Sequence, residues 1–221
     1  MSNIESAIIP SVRITSTWRL ALLWITASTV AVPLGVLLHE LSHLLFNLAF
    51  GFQGLALHYS STTYSLENTF WQLIYRGNLA AAASMIPLWK VSMATAAGIL
   101  GTCLVSSVCC LLAAGKNPHP LVIALGIFAP VRFLSGLSTI RIWLAGKPVR
   151  AGTDEAHLAA LTVIPLPFLI LGGLLFLVLV WIWMVRHIPR DHHWIYLGSV
   201  FSGLALGSFL YFSVMGPWLL P

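Results

Sequence analysis

The chain has 221 residues, of which 58% are hydrophobic and only 8% charged. Average soluble chains carry about 25% charged residues, so 11 Lys and Arg with 6 Asp and Glu cannot cover a globular surface, and soluble, disordered and fibrous classes are excluded. A mean hydropathy of +0.91, with apolar runs near the ~20 residues that cross a bilayer, predicts an all-α, polytopic transmembrane helical bundle of about five to six spans.

The net charge of +5 is not a nucleic-acid signal, because the basic residues stand singly at the edges of apolar runs, as interfacial anchors do. The expected partner is the lipid bilayer, with no nucleic acid. Cys103, Cys109 and Cys110 fall inside one apolar run and read as small buried hydrophobes rather than a disulfide framework.

Residues 1–17 form a short N-terminal tail, and 18–221 read as one membrane-embedded domain. The first apolar run, Trp18 to Phe50, is too long for a cleaved signal. As a helix it would measure ~50 Å against a hydrocarbon core of ~30 Å, so it must tilt, break or protrude, with Pro33 the expected kink. Residues 51–78 are too polar to span and suit a short hairpin or an interfacial segment. The next region is interrupted at Pro87 and Lys90, which predicts an interfacial piece over 79–89 and a span over 91–114.

A turn at 115–120 leads to a third run, Leu121 to Ala145, carrying Arg132 and Arg141. The stretch from Asp154 to Val185 contains Pro165 and Pro167 and is too long for one straight helix. A polar loop at 186–193 precedes the last span, Trp194 to Leu220. Five main spans follow. Arg13, Arg19, Lys116, Arg186 and Arg190 then share one side against Arg76, Lys147 and Arg150, with Arg141 close to that second group; this favours a cytoplasmic N-terminus. Tryptophans 18, 71, 89, 143, 181, 183, 194 and 218 lie near run ends, as in an interfacial belt.

The chemistry concentrates in His39-Glu40-Leu41-Ser42-His43. On a helix, positions i and i+4 lie one above the other, so both imidazoles can reach one metal ion, and Glu40 can act as general base on a water there. With 8 His and 4 Glu in the chain, chance would produce such a string about 0.005 times. Three ionisable groups in an apolar helix are also costly unless paired, metal-bound or facing water. A proton-relay or ion-pathway cluster is the competing explanation.

Two histidines need a further protein ligand, and the candidates are Asp154, Glu155, His157, His58, His119 and the group Asp191, His192, His193. Asp154 has an ordinary explanation as an acid in a first helical turn after Thr153. The 191–193 group reads as an interfacial loop, and His58 and His119 as surface residues. Depth favours Asp154, because His39 and His43 lie in the later half of the first helix and Asp154 begins its helix on the side where that one exits.

An intramembrane HELSH helix, the small-residue segment ATAAGILG at 94–101, and TDEAHLAALTVIP beginning at Thr153 together resemble the site-2 protease family of intramembrane zinc metalloproteases, especially its compact bacterial branch. The resemblance covers roughly residues 30–185. It implies one Zn2+ per chain held by His39, His43 and Asp154, Glu40 as catalytic base, a transmembrane protein as substrate, and a bacterial cytoplasmic membrane as location. Three departures stand out: Ser42 where glycine is common, no N-P-x-P-x-x-D-G form of the aspartate motif, and no proline after the Gly98 segment.

Arg132, Lys90 and Arg76 remain. Arg132, deep in its run, is a candidate for stabilising an oxyanion or pairing with Asp154 or Glu155, while Lys90 and Arg76 are expected to snorkel to an interface. The alternative function is a non-proteolytic membrane protein that uses the same cluster for metal or proton transport or as a zinc-stabilised scaffold.

Overall fold

The computed structural model describes residues 17–115, 118–146, 153–188, 190–191 and 193–220. The tail, Lys116, Lys147, Arg150 and His192, used above for orientation or as ligand candidates, lie outside the described residues.

The protein is a bundle of helices with one small hairpin. In chain order it runs α1 (Thr17–Ala49), β1 (Ala56–Leu57), β2 (Thr62–Thr63), α2 (Glu67–Tyr75), α3 (Leu79–Met85), α4 (Leu88–Ala113) and α5 (Pro120–Phe128). A 3-10 turn (Ala129–Leu134) joins α5 to α6 (Ser135–Leu144), followed by α7 (Asp154–Leu161), α8 (Leu166–His187) and α9 (His193–Leu210). A π-helical turn (Tyr211–Met215) then leads into α10 (Gly216–Leu219). Among the described residues, five segments are long and apolar enough to cross a membrane: Thr17–Ala49, Leu88–Ala113, Pro120–Leu144, Leu166–His187 and His193–Leu219. The chain is thus a polytopic helical bundle, with large apolar side chains such as Leu104, Leu111 and Phe168 turned outward where lipid would meet them.

α1 is the central element, packed by α9, α4 and α5. It runs unbroken through Pro33. A proline cannot donate to the carbonyl four residues back, which here is Thr29. Gly207 of α9 backs directly onto that carbonyl, and Gly203, one turn earlier, backs onto Ile25 and Ser28; a Cβ at either glycine would collide with α1 backbone. Small residues one turn apart let two membrane helices approach this closely. Thr29 adds a hydroxyl bond to the Gly203 carbonyl at 3.2 Å. The buried core beside this seam comprises Trp24, Val32, Ile123, Ile127, Met184 and Val200 among others.

Of the two runs that the sequence could not fit to one straight helix, the later one is divided at Pro165, which separates α7 from α8, while the first stays a single helix, α1. The third run is interrupted instead, by the 3-10 turn that contains Pro130 and carries Arg132. The polar stretch 51–78 supplies the antiparallel hairpin, with Ala56 opposite Thr63 and Leu57 opposite Thr62, followed by α2. Phe70, Trp71 and Ile74 of α2 are buried against Ala82, Ile86 and Val91.

Trp71 does not face lipid as a belt tryptophan would: it is 8% exposed and stacks on His157. Trp181 and Trp183 donate their indole N–H to the carbonyls of Ile127 and Cys110 at 2.9 and 3.0 Å, so they tie helices together. Lys90 has a protein partner as well: its ammonium donates to the Phe50 carbonyl at 3.0 Å, just past the end of α1, where a cation meets the negative end of the helix dipole.

Candidate metal centre

His39 and His43 project from α1 toward α4, one helical turn apart, with ring centroids 4.8 Å apart and the rings at 90°. What α4 presents to them is nearly bare backbone. A Cβ at Gly98 would collide with both imidazoles, and one at Gly101 would collide with Ser42. The small-residue segment therefore makes room for the histidines. Ser42 stands where glycine is common in the resembling family; its hydroxyl turns back to the Leu38 carbonyl at 2.8 Å, so the larger residue is accommodated against Gly101.

The backbone of α4 also orients the imidazoles. Nδ1 of His43 donates to the Ala94 carbonyl at 2.8 Å; a carbonyl oxygen only accepts, so this Nδ1 carries the proton and Nε2 keeps a free lone pair. Nδ1 of His39 lies 2.9 Å from the Gly98 carbonyl, 3.0 Å from the Thr102 hydroxyl and 3.1 Å from an Arg132 N–H. Such outer hydrogen bonds commonly orient metal-binding histidines.

Asp154 completes the group. Thr153 caps α7 by accepting the Ala156 N–H at 3.3 Å, which sets Asp154 in the first turn of the helix. The ordinary reading of Asp154 as a first-turn acid is correct as far as it goes, yet its Oδ2 also lies 3.2 Å from Nε2 of both His39 and His43. The two Nε2 atoms are themselves 3.2 Å apart. Ligands bound at ~2.0–2.1 Å around a tetrahedral ion are about 3.3 Å from one another, so this nearly equilateral triangle of two nitrogens and one oxygen has the right edge for a metal. Among the described residues it is the one group of three or more His, Cys, Asp or Glu with that capacity.

The other candidates fall elsewhere. His119 caps α5 by accepting the Leu121 N–H at 3.2 Å, and His58 pairs with the Thr63 hydroxyl at 3.2 Å. Asp191 and His193 lie at the start of α9, outside the group. Glu155 is 2% exposed and points to Arg132, and His157 lies against Trp71, one turn beyond Asp154.

Arg132 is the residue that sequence reasoning left most open. Its guanidinium reaches Asp154 Oδ2 at 2.8 Å and stands 3.7 Å from Glu155. Burial alone would raise the Asp154 carboxyl, but the Arg132 guanidinium beside it outweighs this and holds it well below the usual carboxylate range. Asp154 is thus charged and ready to bind a cation.

Glu40, 6% exposed, is held by the hairpin. The Thr62 hydroxyl lies 3.2 Å from the Glu40 carboxylate and 3.0 Å from the Glu40 main-chain carbonyl. Sequence reading did not find Thr62, since nothing in a polar 28-residue stretch marks one threonine. The hairpin is held in turn by the C-terminal segment, where Tyr211 donates to the Tyr59 carbonyl at 2.7 Å and Tyr59 N–H to that of Leu220 at 3.1 Å.

Two cavities flank the cluster, of about 380 and 400 Å³. Both are lined by Glu40, Ser60, Thr153 and Asp154; the first adds His43, and the second adds His39 and Arg132. The candidate metal-binding triangle therefore stands between two spaces, with the carboxylates of Glu40 and Asp154 shared by both.

No protein-family model matches the chain, and no curated protein or solved structure matches it.

Proposed function

We propose that this chain is an intramembrane zinc metalloprotease that hydrolyses peptide bonds of transmembrane protein substrates. The observation that carries the reading is a two-histidine, one-aspartate triangle with a buried glutamate beside it and open space on either side. The resemblance to site-2 proteases supports it, as does the donor set, since two imidazoles and a carboxylate with a position left open suit catalytic zinc. The same reading puts the protein in a bacterial cytoplasmic membrane.

His39, His43 and Asp154 would hold zinc, which would supply Lewis acidity to a water and to the scissile carbonyl. Glu40 takes the proton from the attacking water at a carboxylate oxygen while the water oxygen adds to the carbonyl carbon, and it returns the proton to the amine as the C–N bond breaks. Thr62 holds the Glu40 carboxylate in place by its hydroxyl. Arg132, which lines the second cavity, keeps Asp154 ionised and is the cation nearest to a developing oxyanion.

A substrate helix must unwind locally before its carbonyl can react, because helical backbone groups are already paired. The two-stranded hairpin beside Glu40 has free edges that offer replacement partners to an unwound segment. The two cavities accommodate chain on either side of the bond.

The test is a reconstituted one. The purified chain in liposomes is incubated with a panel of single-span membrane proteins, with and without a zinc chelator, and products are sized by mass spectrometry. Chelator-sensitive cleavage inside or next to a span is expected. Bound zinc with no cleavage, together with metal or proton flux in the same liposomes, would favour the transport reading instead.

A further inference from the structure

The cavity on the His43 side holds polar atoms with nothing to bind. Asn47 Oδ1, the Tyr64 hydroxyl and His157 Nε2 are all buried without a hydrogen-bond partner, and all three residues line this one space. An unsatisfied buried polar group is costly because it gives up its hydrogen bonds to water for nothing, and native proteins leave few of them. Three from three separate parts of the chain, around a single cavity, are a cost without a return unless something fills it.

Their positions are tied to the metal-binding triangle. Asn47 follows His43 by four residues on α1 and is 3% exposed, so it continues the same helix face one turn further. His157 follows Asp154 by three residues on α7, with its ring fixed on Trp71 at 4.0 Å between centroids and 15° between planes. Tyr64 follows the hairpin, with its ring stacked on Phe52 at 4.8 Å. Each side chain is therefore held by its surroundings through its helix or its ring, while its polar atom is left over.

The chemistry of the three is uncharged and two-sided. The amide and the hydroxyl can each donate or accept, and burial pushes the His157 imidazole down toward its neutral form, which offers one or the other at Nε2. The carboxylate of Glu67 is already engaged by the Tyr64 backbone N–H at 3.4 Å. An incoming carboxylate would face both Glu40 and Glu67, which line the same space, and an alkyl group would leave all three polar atoms unpaired. We propose that this cavity is a recognition subsite for an uncharged hydrogen-bonding side chain, a carboxamide in the first place, placed beside the bond to be cut. The proposal deepens the metalloprotease reading and rests on a metal being bound at the triangle.

The test uses the full-length, zinc-loaded chain in detergent and three hydroxamate probes: acetohydroxamate, a hydroxamate with a carboxamide arm, and one with an isobutyl arm of equal size. Binding is measured by calorimetry. The carboxamide probe is expected to bind about tenfold tighter than the isobutyl probe, as one or two extra hydrogen bonds imply. Asn47→Leu should abolish or invert that order, and Tyr64→Phe, which keeps the ring, should weaken the carboxamide probe alone. Equal or tighter binding of the isobutyl probe to the wild type overturns the subsite while the metal centre stands. Failure of acetohydroxamate to bind at all overturns the metal reading, and the subsite with it.

Discussion

The carbonyl of Gly98 lies 2.9 Å from Nδ1 of His39, and no larger residue fits at Gly98 because a Cβ there would collide with His39 and His43 together. One glycine thus both orients an imidazole of the candidate metal centre and makes room for it. Gly98→Ala should weaken zinc binding by about 10–100-fold, the usual cost of disturbing an outer partner. Titration against a fluorescent zinc chelator measures it. Wild-type affinity in Gly98→Ala would mean that α4 plays no part in shaping the centre.

Arg132 stands between Asp154 and Glu155, and both Glu155 oxygens lack any hydrogen bond. With a metal on Asp154, the guanidinium remains the one cation near Glu155. Arg132→Gln should lower stability by about 3 kcal/mol or more, because it strands a buried carboxylate. Adding Glu155→Gln should recover part of that loss. Thermal unfolding in detergent gives both values, and a double variant no more stable than Arg132→Gln would show that the two residues are uncoupled.

Thr62 reaches the Glu40 carboxylate across from the hairpin at 3.2 Å. Thr62→Val is nearly the same shape and removes only the hydroxyl. It should reduce kcat about tenfold or more, as expected for a hydrogen bond to a charged group, with KM little changed because the substrate's own contacts remain. A change confined to KM would place Thr62 in substrate binding instead.

The α1–α9 seam depends on Gly207 lying against the Thr29 carbonyl. Gly207→Val should cost about 1–3 kcal/mol through overpacking, seen as a lower unfolding midpoint. Gly172, which has open space where a Cβ would stand, is the control: Gly172→Ala should not lower the midpoint.

Burial raises the Glu67 carboxyl above its ordinary value, against the opposing pull of its hydrogen bonds to the Tyr64 backbone and the Trp71 side chain. An acid whose pKa rises on folding destabilises the folded state once it ionises. Its contribution is fully favourable below the unfolded value of about 4.3 and is lost as pH rises through the folded one. Glu67→Gln should therefore raise the unfolding midpoint at pH 7, and the gain should shrink as pH falls toward 4. A gain that is constant with pH would contradict this.

The apolar composition announced a polytopic bundle, and its five runs are the five long helices, since length and hydropathy are local properties of the chain. The HELSH string was equally visible, because i and i+4 fix two side chains on one helix face whatever the rest of the fold does. Asp154 was reachable by counting spans and depth. The partnership of Arg132 with both Asp154 and Glu155 was only one option among several, because it depends on how far the 3-10 turn at Pro130 carries that side chain toward α7. Thr62, Asn47 and Tyr64 carry no sequence signal at all: a threonine in a hairpin, an asparagine near a helix end and a tyrosine in a polar stretch have common explanations, and only packing reveals what each one faces. Trp71 erred the other way, since lying near the end of a run does not distinguish a lipid-facing ring from one stacked on His157.

The central claim is that Glu40 moves the proton in a zinc-dependent peptide hydrolysis. The most direct measurement compares wild type and Glu40→Gln, each verified by elemental analysis to hold about one zinc per chain, for cleavage of a single-span substrate in liposomes. The account predicts cleavage by wild type and none by Glu40→Gln at equal zinc content. Cleavage by Glu40→Gln at the wild-type rate would contradict it.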